Sequence, residues 1–99
     1  MSSRDTRAAA MRAHARDRAL ERYGLSYNRS LLDDIRRAIR SGHNQVIQRV
    51  SLRVSLRMVT VRGQRLPIVW DSKRREVVTF LPPDAREIAQ IIADTEAAP

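Results

Sequence analysis

Gly42 divides this chain into two hydrophobic rhythms, and a fold of one secondary-structure class cannot serve both. Before it, Leu31, Leu32, Ile35, Ala38 and Ile39 recur at helical spacing over residues 29–41. After it the period falls to two. Val50, Leu52, Val54, Leu56 and Met58 take successive even positions, with Arg49, Ser51, Arg53, Ser55 and Arg57 between them. Side chains alternate across a strand, so this run specifies β-structure with one apolar and one polar face. A chain that changes period in this way reads as α+β.

A first helix is expected over residues 5–23, where Ala8, Ala9, Ala10, Ala13, Ala15 and Ala19 give high propensity and Gly24 supplies a stop. Its apolar side is thin (Met11, Ala15, Ala19, Leu20, Tyr23) and much of the rest is arginine, which places it on the exterior. In the second helix Asn28 or Ser30 can cap the start. Asp33 and Asp34 favour the positive end of its dipole, and Arg36, Arg37 and Arg40 the negative end. The strand-like run Val46–Val61 is longer than strands usually are, so a bend, bulge or break is expected near Ser51–Arg53. Arg62-Gly63-Gln64 reads as a hairpin turn, and Leu66–Asp71 as the next strand. Pro67 has no N–H to donate and is expected at a strand start or an edge. Asp71–Arg74 makes a second turn, Glu76–Leu81 a further strand that Pro82-Pro83 ends. Asp84 caps a short helix with Ile88, Ile91 and Ile92 on one side. The expected fold is therefore α+β: two N-terminal helices, an antiparallel β-meander of three to four strands and a short C-terminal helix, with the helices on one side of the sheet. It forms a single domain over residues 1–99, with 1–6 and 94–99 as flexible tails.

Charge is the second constraint. Of nineteen basic residues eighteen are arginine, and Lys73 is the only lysine. Residues 1–76 carry eighteen basic and seven acidic side chains; residues 77–99 carry one and four. A GC-rich genome explains arginine in place of lysine. It does not explain a net charge of +8 or its concentration away from the C-terminus. Arginine forks onto phosphate oxygens and keeps its charge at any accessible pH, so the expected partner is a polyanion or a strongly acidic surface.

Four aromatic residues (Tyr23, Tyr27, Trp70 and Phe80) are too few for a base-stacking platform. The absence of cysteine excludes disulfides, thiolate metal sites and a cysteine nucleophile, and fits a reducing compartment. With no apolar stretch long enough to span a bilayer and no hydrophobic signal core, a cytoplasmic location is expected. The sequence offers no glycine-rich phosphate loop, no metal-ligand spacing and no nucleophile elbow, so neither metal nor cofactor is expected.

Two constellations could carry chemistry. His14, Arg18, Glu21 and Arg22 share one face of the first helix by their spacing, which sets a proton-transfer group beside an anion clamp. Solvated surface residues are the competing reading. Arg49, Arg53 and Arg57 would line one strand face with Ser51 and Ser55, a row able to follow a phosphodiester backbone, or else a charged face turned to water. Thr79, flanked by Val77, Val78, Phe80 and Leu81, is either a packed strand residue or a hydroxyl presented to a phosphate.

A helix carrying His-Ala-x-x-Arg-x-x-x-Glu-Arg (His14 to Arg22), a second helix and a sheet ending in Val-Thr-Phe-Leu-Pro together resemble the barnase/EndoU/colicin/RelE-like ribonuclease superfamily. The resemblance is to its small bacterial and phage members and covers most of residues 10–83. It implies a sheet that forms an RNA-binding floor and a metal-independent cleavage by attack of a ribose 2′-OH on the adjacent phosphorus. By the same resemblance His14 moves the proton, Arg18 stabilises the phosphorane and Thr79 is the late-strand hydroxyl. The chain departs from the pattern in its single lysine, its lack of a second catalytic histidine and its lack of a tyrosine on the last strand. The leading expectation is a basic protein that engages nucleic acid, RNA before DNA, with Arg22, Arg49, Arg53 and Arg57 on the backbone. The alternative is a non-catalytic binding module or inhibitor facing nucleic acid or an acidic protein, such as an antitoxin. A thin core leaves a monomer or a homodimer as the expected state.

Overall fold

A computed structural model describes residues 3–97 of the chain. Its elements run α1 (Ser3–Tyr23), α2 (Arg29–Arg40), β1 (Asn44–Arg49), β2 (Val54–Val61), β3 (Gln64–Asp71), β4 (Glu76–Phe80) and α3 (Ala85–Ala97). The strands form one antiparallel sheet in the order β1-β2-β3-β4. This is the α+β arrangement expected. Helical structure continues through residues 3–6 and 94–97; residues 1–2 and 98–99, the remainder of the expected tails, lie outside the described residues.

The expected break at Ser51–Arg53 is a complete reversal of the chain. Residues 50–53 form a loop that folds β2 back on β1, with Arg49 opposite Ser55. No glycine or proline marks it. Ser51 makes the turn instead: its Oγ accepts from the N–H of Val54 at 3.1 Å and of Arg53 at 3.4 Å. The Val50 and Ser51 N–H groups both donate to the Val54 carbonyl, at 3.0 and 3.1 Å. The next turn uses Arg62 and Gly63, both at positive φ (52° and 75°), the geometry of a two-residue type I′ hairpin.

One expectation about the layers is corrected. The helices lie on both faces of the sheet. Val59 and Val61 of β2, Leu66, Ile68 and Trp70 of β3, and Val77 and Phe80 of β4 pack with Ala15 and Ala19 of α1 and Leu31, Ile35 and Ala38 of α2. Met58 of β2 and Ile47 of β1 pack with Ala89 of α3 on the other face, beside Leu56. The physical reason lies in β2. Its even positions are apolar at Leu56 and Met58 and its odd positions at Val59 and Val61, so each face needs a cover. Leu20, expected on the packed side of α1, is 63% exposed, and Ile88 of α3 is 59% exposed.

Pro67 is corrected as well. It sits buried inside β3, a central strand, opposite Met58. Its carbonyl accepts from the Leu81 N–H at 2.9 Å, one residue past the end of β4. In an antiparallel pair the N–H and C=O of one residue face the same neighbour. The missing donor of Pro67 therefore falls where β4 has ended. The carbonyl of Leu81 takes the Tyr23 hydroxyl instead, at 2.6 Å.

α1 runs parallel to β4 along the edge of the sheet. From Arg12 to Tyr23 a helix advances about 16 Å, and from Glu76 to Leu81 a strand advances about as far. The two elements stay in step: Arg12 meets Glu76 at 3.3 Å, His14 meets Thr79 at 3.2 Å, and Arg22 donates to the Phe80 carbonyl at 2.7 Å. The exposed edge of β4 is thereby covered. α2 crosses the other way, tying together the two ends of the sheet. Ser30 and Asp34 on one flank hold Arg62 of the β2–β3 turn, and Arg36 on the other donates to the Arg75 carbonyl of the β3–β4 turn at 2.8 Å.

Candidate functional site

Asp71 is the centre of the construction. It is 4% exposed at the end of β3, and its carboxylate accepts four hydrogen bonds. Two come from Arg53 across the adjacent loop, Nη2 to Oδ2 at 2.6 Å and Nε to Oδ1 at 3.2 Å. Two come from the backbone N–H groups of Lys73 and Arg74, at 2.9 and 3.2 Å. Burial by itself pushes this carboxyl up; the Arg53 bonds and the two backbone donors outweigh it and hold it below the usual carboxylate value. The Ser72 N–H closes on the Arg53 carbonyl at 2.7 Å, so the β1–β2 loop and the β3–β4 turn form one braced unit.

Two clefts take part of their wall from the β3–β4 turn, and a third is walled in part by Glu76, the first residue of β4. The first, about 470 Å³, lies between Arg7 of α1, Arg53 of the β1–β2 loop, and Lys73 and Arg74. A second, about 260 Å³, is walled by Arg36 and Arg40 of α2, Arg57, Trp70, Ser72 and Arg75. The third, about 320 Å³, carries Arg12, Arg16 and Arg29 with Glu76. The clefts thus contribute four, four and three basic side chains, against one carboxylate in their walls. Arg12, Arg36 and Arg53 are paired with Glu76, Asp33 and Asp71. Arg7, Arg16, Arg29, Arg40, Arg57, Lys73, Arg74 and Arg75 make no ion pair among the described residues.

Arg57 is the most informative of these. It is half-buried at the edge of α2, and its bonds go to neutral groups, Nε to Ser55 Oγ at 2.9 Å and Nη1 to Asn44 Oδ1 at 2.8 Å. Burial, and then the neighbouring Arg49, push its pKa down from the ordinary arginine value. A cation removed from water beside another cation is unfavourable unless an anion joins them.

The expected row Arg49, Arg53 and Arg57 on one strand is not what the chain makes. Arg49 ends β1, Arg53 leaves for the loop and grips Asp71, and Arg57 lies in β2 on the face that α2 covers. Ser55, which was to interleave them on an open face, is 1% exposed. Antiparallel pairing nonetheless makes Arg49 and Arg57 neighbours.

The helix-face constellation fares differently. His14 Nε2 and Thr79 Oγ1, far apart in sequence, meet at 3.2 Å. Arg18 turns to Glu21 instead, at 2.9 Å, and Arg22 is held by the Phe80 carbonyl. His14, Arg18 and Thr79 line none of the clefts above. Sequence reasoning missed Arg7, Arg36, Arg40, Lys73, Arg74 and Arg75 as a site. The available signal was the run Lys73-Arg74-Arg75 inside a turn; nothing local announces that Arg7 and Arg53 join it. Among the described residues no group of three or more histidine, aspartate or glutamate side chains is placed to hold a metal, and no helix is long and apolar enough to cross a membrane. Comparison with known protein families, with curated proteins and with solved structures finds no match to this chain.

Proposed function

We propose that this protein binds nucleic acid through its phosphodiester backbone, with the braced β1–β2 loop and β3–β4 turn at the centre of the contact. The observation that carries this reading is the convergence on one turn of two arginine-walled clefts with no carboxylate in their walls, beside a third with three arginines and one carboxylate. Spaced anionic groups are what such a surface accommodates, and a phosphate backbone supplies them at regular intervals. The contacts are to backbone, so affinity is expected to vary little with base sequence. The test is a titration of fluorescently labelled RNA and DNA at several salt concentrations. A logarithmic affinity that falls with the logarithm of salt, at a slope of about −0.7 to −0.9 per phosphate contacted, supports it. A flat response, or binding confined to an acidic protein, rejects it.

A second reading, metal-independent ribonuclease activity, is favoured by the 3.2 Å contact between His14 and Thr79. Opposed to it are the engagement of Arg18 by Glu21 and the absence of His14 and Thr79 from the walls of the three cationic clefts. Purified protein incubated with total RNA in excess chelator decides. Cleavage by the unaltered protein that is lost in His14→Ala supports it, and no cleavage, or cleavage equal in both, removes it.

A further inference from the structure

The β1–β2 loop, which supplies Arg53 to the first cleft, ends in an apolar tip. Leu52 is 103% exposed, as open as a residue in an extended chain, and Val50 is 67% exposed. This is not a slack loop that collapse would bury. Ser51 caps it internally, Val54 closes it, and Arg53 and Ser72 fasten its base to the β3–β4 turn. Leucine held rigidly in water forgoes the gain of burial, so the geometry suits an apolar partner that arrives from outside. Cations bracket the tip along the chain: Arg49, exposed at the end of β1, precedes it, and Arg53, which shares a cleft with Lys73 and Arg74, follows it. An apolar point flanked by cations matches a structure whose apolar interior lies between two lines of phosphate.

We propose that Leu52, supported by Val50, enters the minor groove of duplex DNA as a wedge between adjacent base pairs and kinks the helix, while the flanking cations hold the phosphates on both sides. This deepens the backbone-binding reading and rests on it. The minor groove is about 6 Å wide, which admits an aliphatic side chain at a hairpin tip. Aliphatic wedges that part a base step bend the duplex by about 20–90° toward the major groove. Single strands are the poorer fit, because the aromatic side chains are committed elsewhere. Trp70 and Phe80 are buried, the Tyr27 ring packs edge-on against Phe80 at 5.2 Å, and the Tyr23 hydroxyl is bonded to Leu81. Pyrimidine–purine steps unstack most easily and are the expected point of entry.

The experiment uses the full chain and a short duplex with a central TA step, 2-aminopurine beside the step and a dye pair at the ends. With the unaltered protein, 2-aminopurine fluorescence should rise and the ends should approach. Leu52→Ser should abolish both signals, keep the salt slope, and lower affinity by no more than about tenfold. Its thermal midpoint should be unchanged, since the side chain packs against nothing. Steep salt-dependent binding without unstacking or bending overturns the wedge and leaves the backbone-binding reading standing. Failure to bind any nucleic acid overturns both. Equal bending of an A-form RNA duplex, or Leu52-dependent capture of phosphatidylserine vesicles without DNA bending, overturns the assignment to DNA.

Discussion

The two ends of the sheet use the same residue for opposite purposes. At the end formed by the β2–β3 turn, arginines are struts. Arg62 reaches Asp34 and Ser30, Arg37 shares Asp34, Arg65 bonds Gln90, and Arg86 sits over the Tyr23 ring at 5.0 Å. At the end formed by the β1–β2 loop and the β3–β4 turn, Arg53 on Asp71 and Arg36 on Asp33 are struts, while Arg7, Arg40, Arg57, Lys73, Arg74 and Arg75 in the same clefts make no ion pair among the described residues. Even the backbone strain is parallel. The two non-glycine residues at positive φ among the described residues are Arg62 and Arg75, one in each turn, and both are anchored to α2. What separates the ends is the supply of partners, so a count of arginines says little about binding until each is matched to what it touches.

The largest effect should come from reversing charge at the unpartnered end. Lys73→Glu combined with Arg74→Glu is expected to lower affinity for labelled nucleic acid about 100-fold and to make the salt slope shallower by about 2. The turn should keep its shape, because Asp71 holds those residues by their backbone N–H groups. Arg65→Glu at the strut end should change affinity by less than about threefold. Similar losses in both variants would erase the distinction between the ends.

Next in size is Asp71→Asn, which removes the carboxylate that binds the two loops together. Loss of the charge-assisted bonds should cost about 2 kcal/mol of stability, a fall in thermal midpoint of roughly 10 °C. The pH dependence has a definite sign. The folded carboxyl titrates below its ordinary value, so its contribution is complete above about pH 4 and is lost as pH falls through the lower folded value. Thermal melts across acid pH should therefore converge for the two proteins. A constant gap down to the lowest pH would show that Asp71 acts by shape and not by charge.

Arg22→Ala should be smaller and purely structural. Its guanidinium satisfies the Phe80 carbonyl at the β4 edge, and its removal should cost about 1 kcal/mol with affinity unchanged. A clear loss of affinity without loss of stability would move Arg22 to the binding surface. Smallest is His14→Ala. The exposed His14–Thr79 bond should contribute less than about 0.5 kcal/mol, measured by chemical denaturation.

Much of the fold was legible because local chemistry specified it. Gly24 accepts φ +64 at the end of α1, with the Leu25 N–H bonding back to Ala19, and Asn28 caps α2 by accepting from Leu31 at 3.0 Å. Asp71 belongs to its turn, as Asp-Ser-Lys-Arg suggested. The reversal at Ser51–Arg53 was visible only as excess strand length, since serine is a weaker turn signal than glycine. Pro67 misled because the rule for proline concerns where its absent donor points, and that depends on where β4 stops. The meeting of His14 with Thr79 followed from two matched rates of advance along α1 and β4, whereas Arg18 was diverted to Glu21, one turn away on its own helix.

The sequence by itself determined the elements, their order and the total positive charge, because propensity, capping, turn chemistry and ionisation are properties of neighbouring residues. Only the tertiary structure decided which cations are matched and which are left open. Arg7, Arg53 and Arg74 come from three separate elements and share one cleft solely because the sheet brings two loops to the same end and α1 starts beside them. Pairing of charge falls steeply with distance in space, and distance in space is what the fold sets.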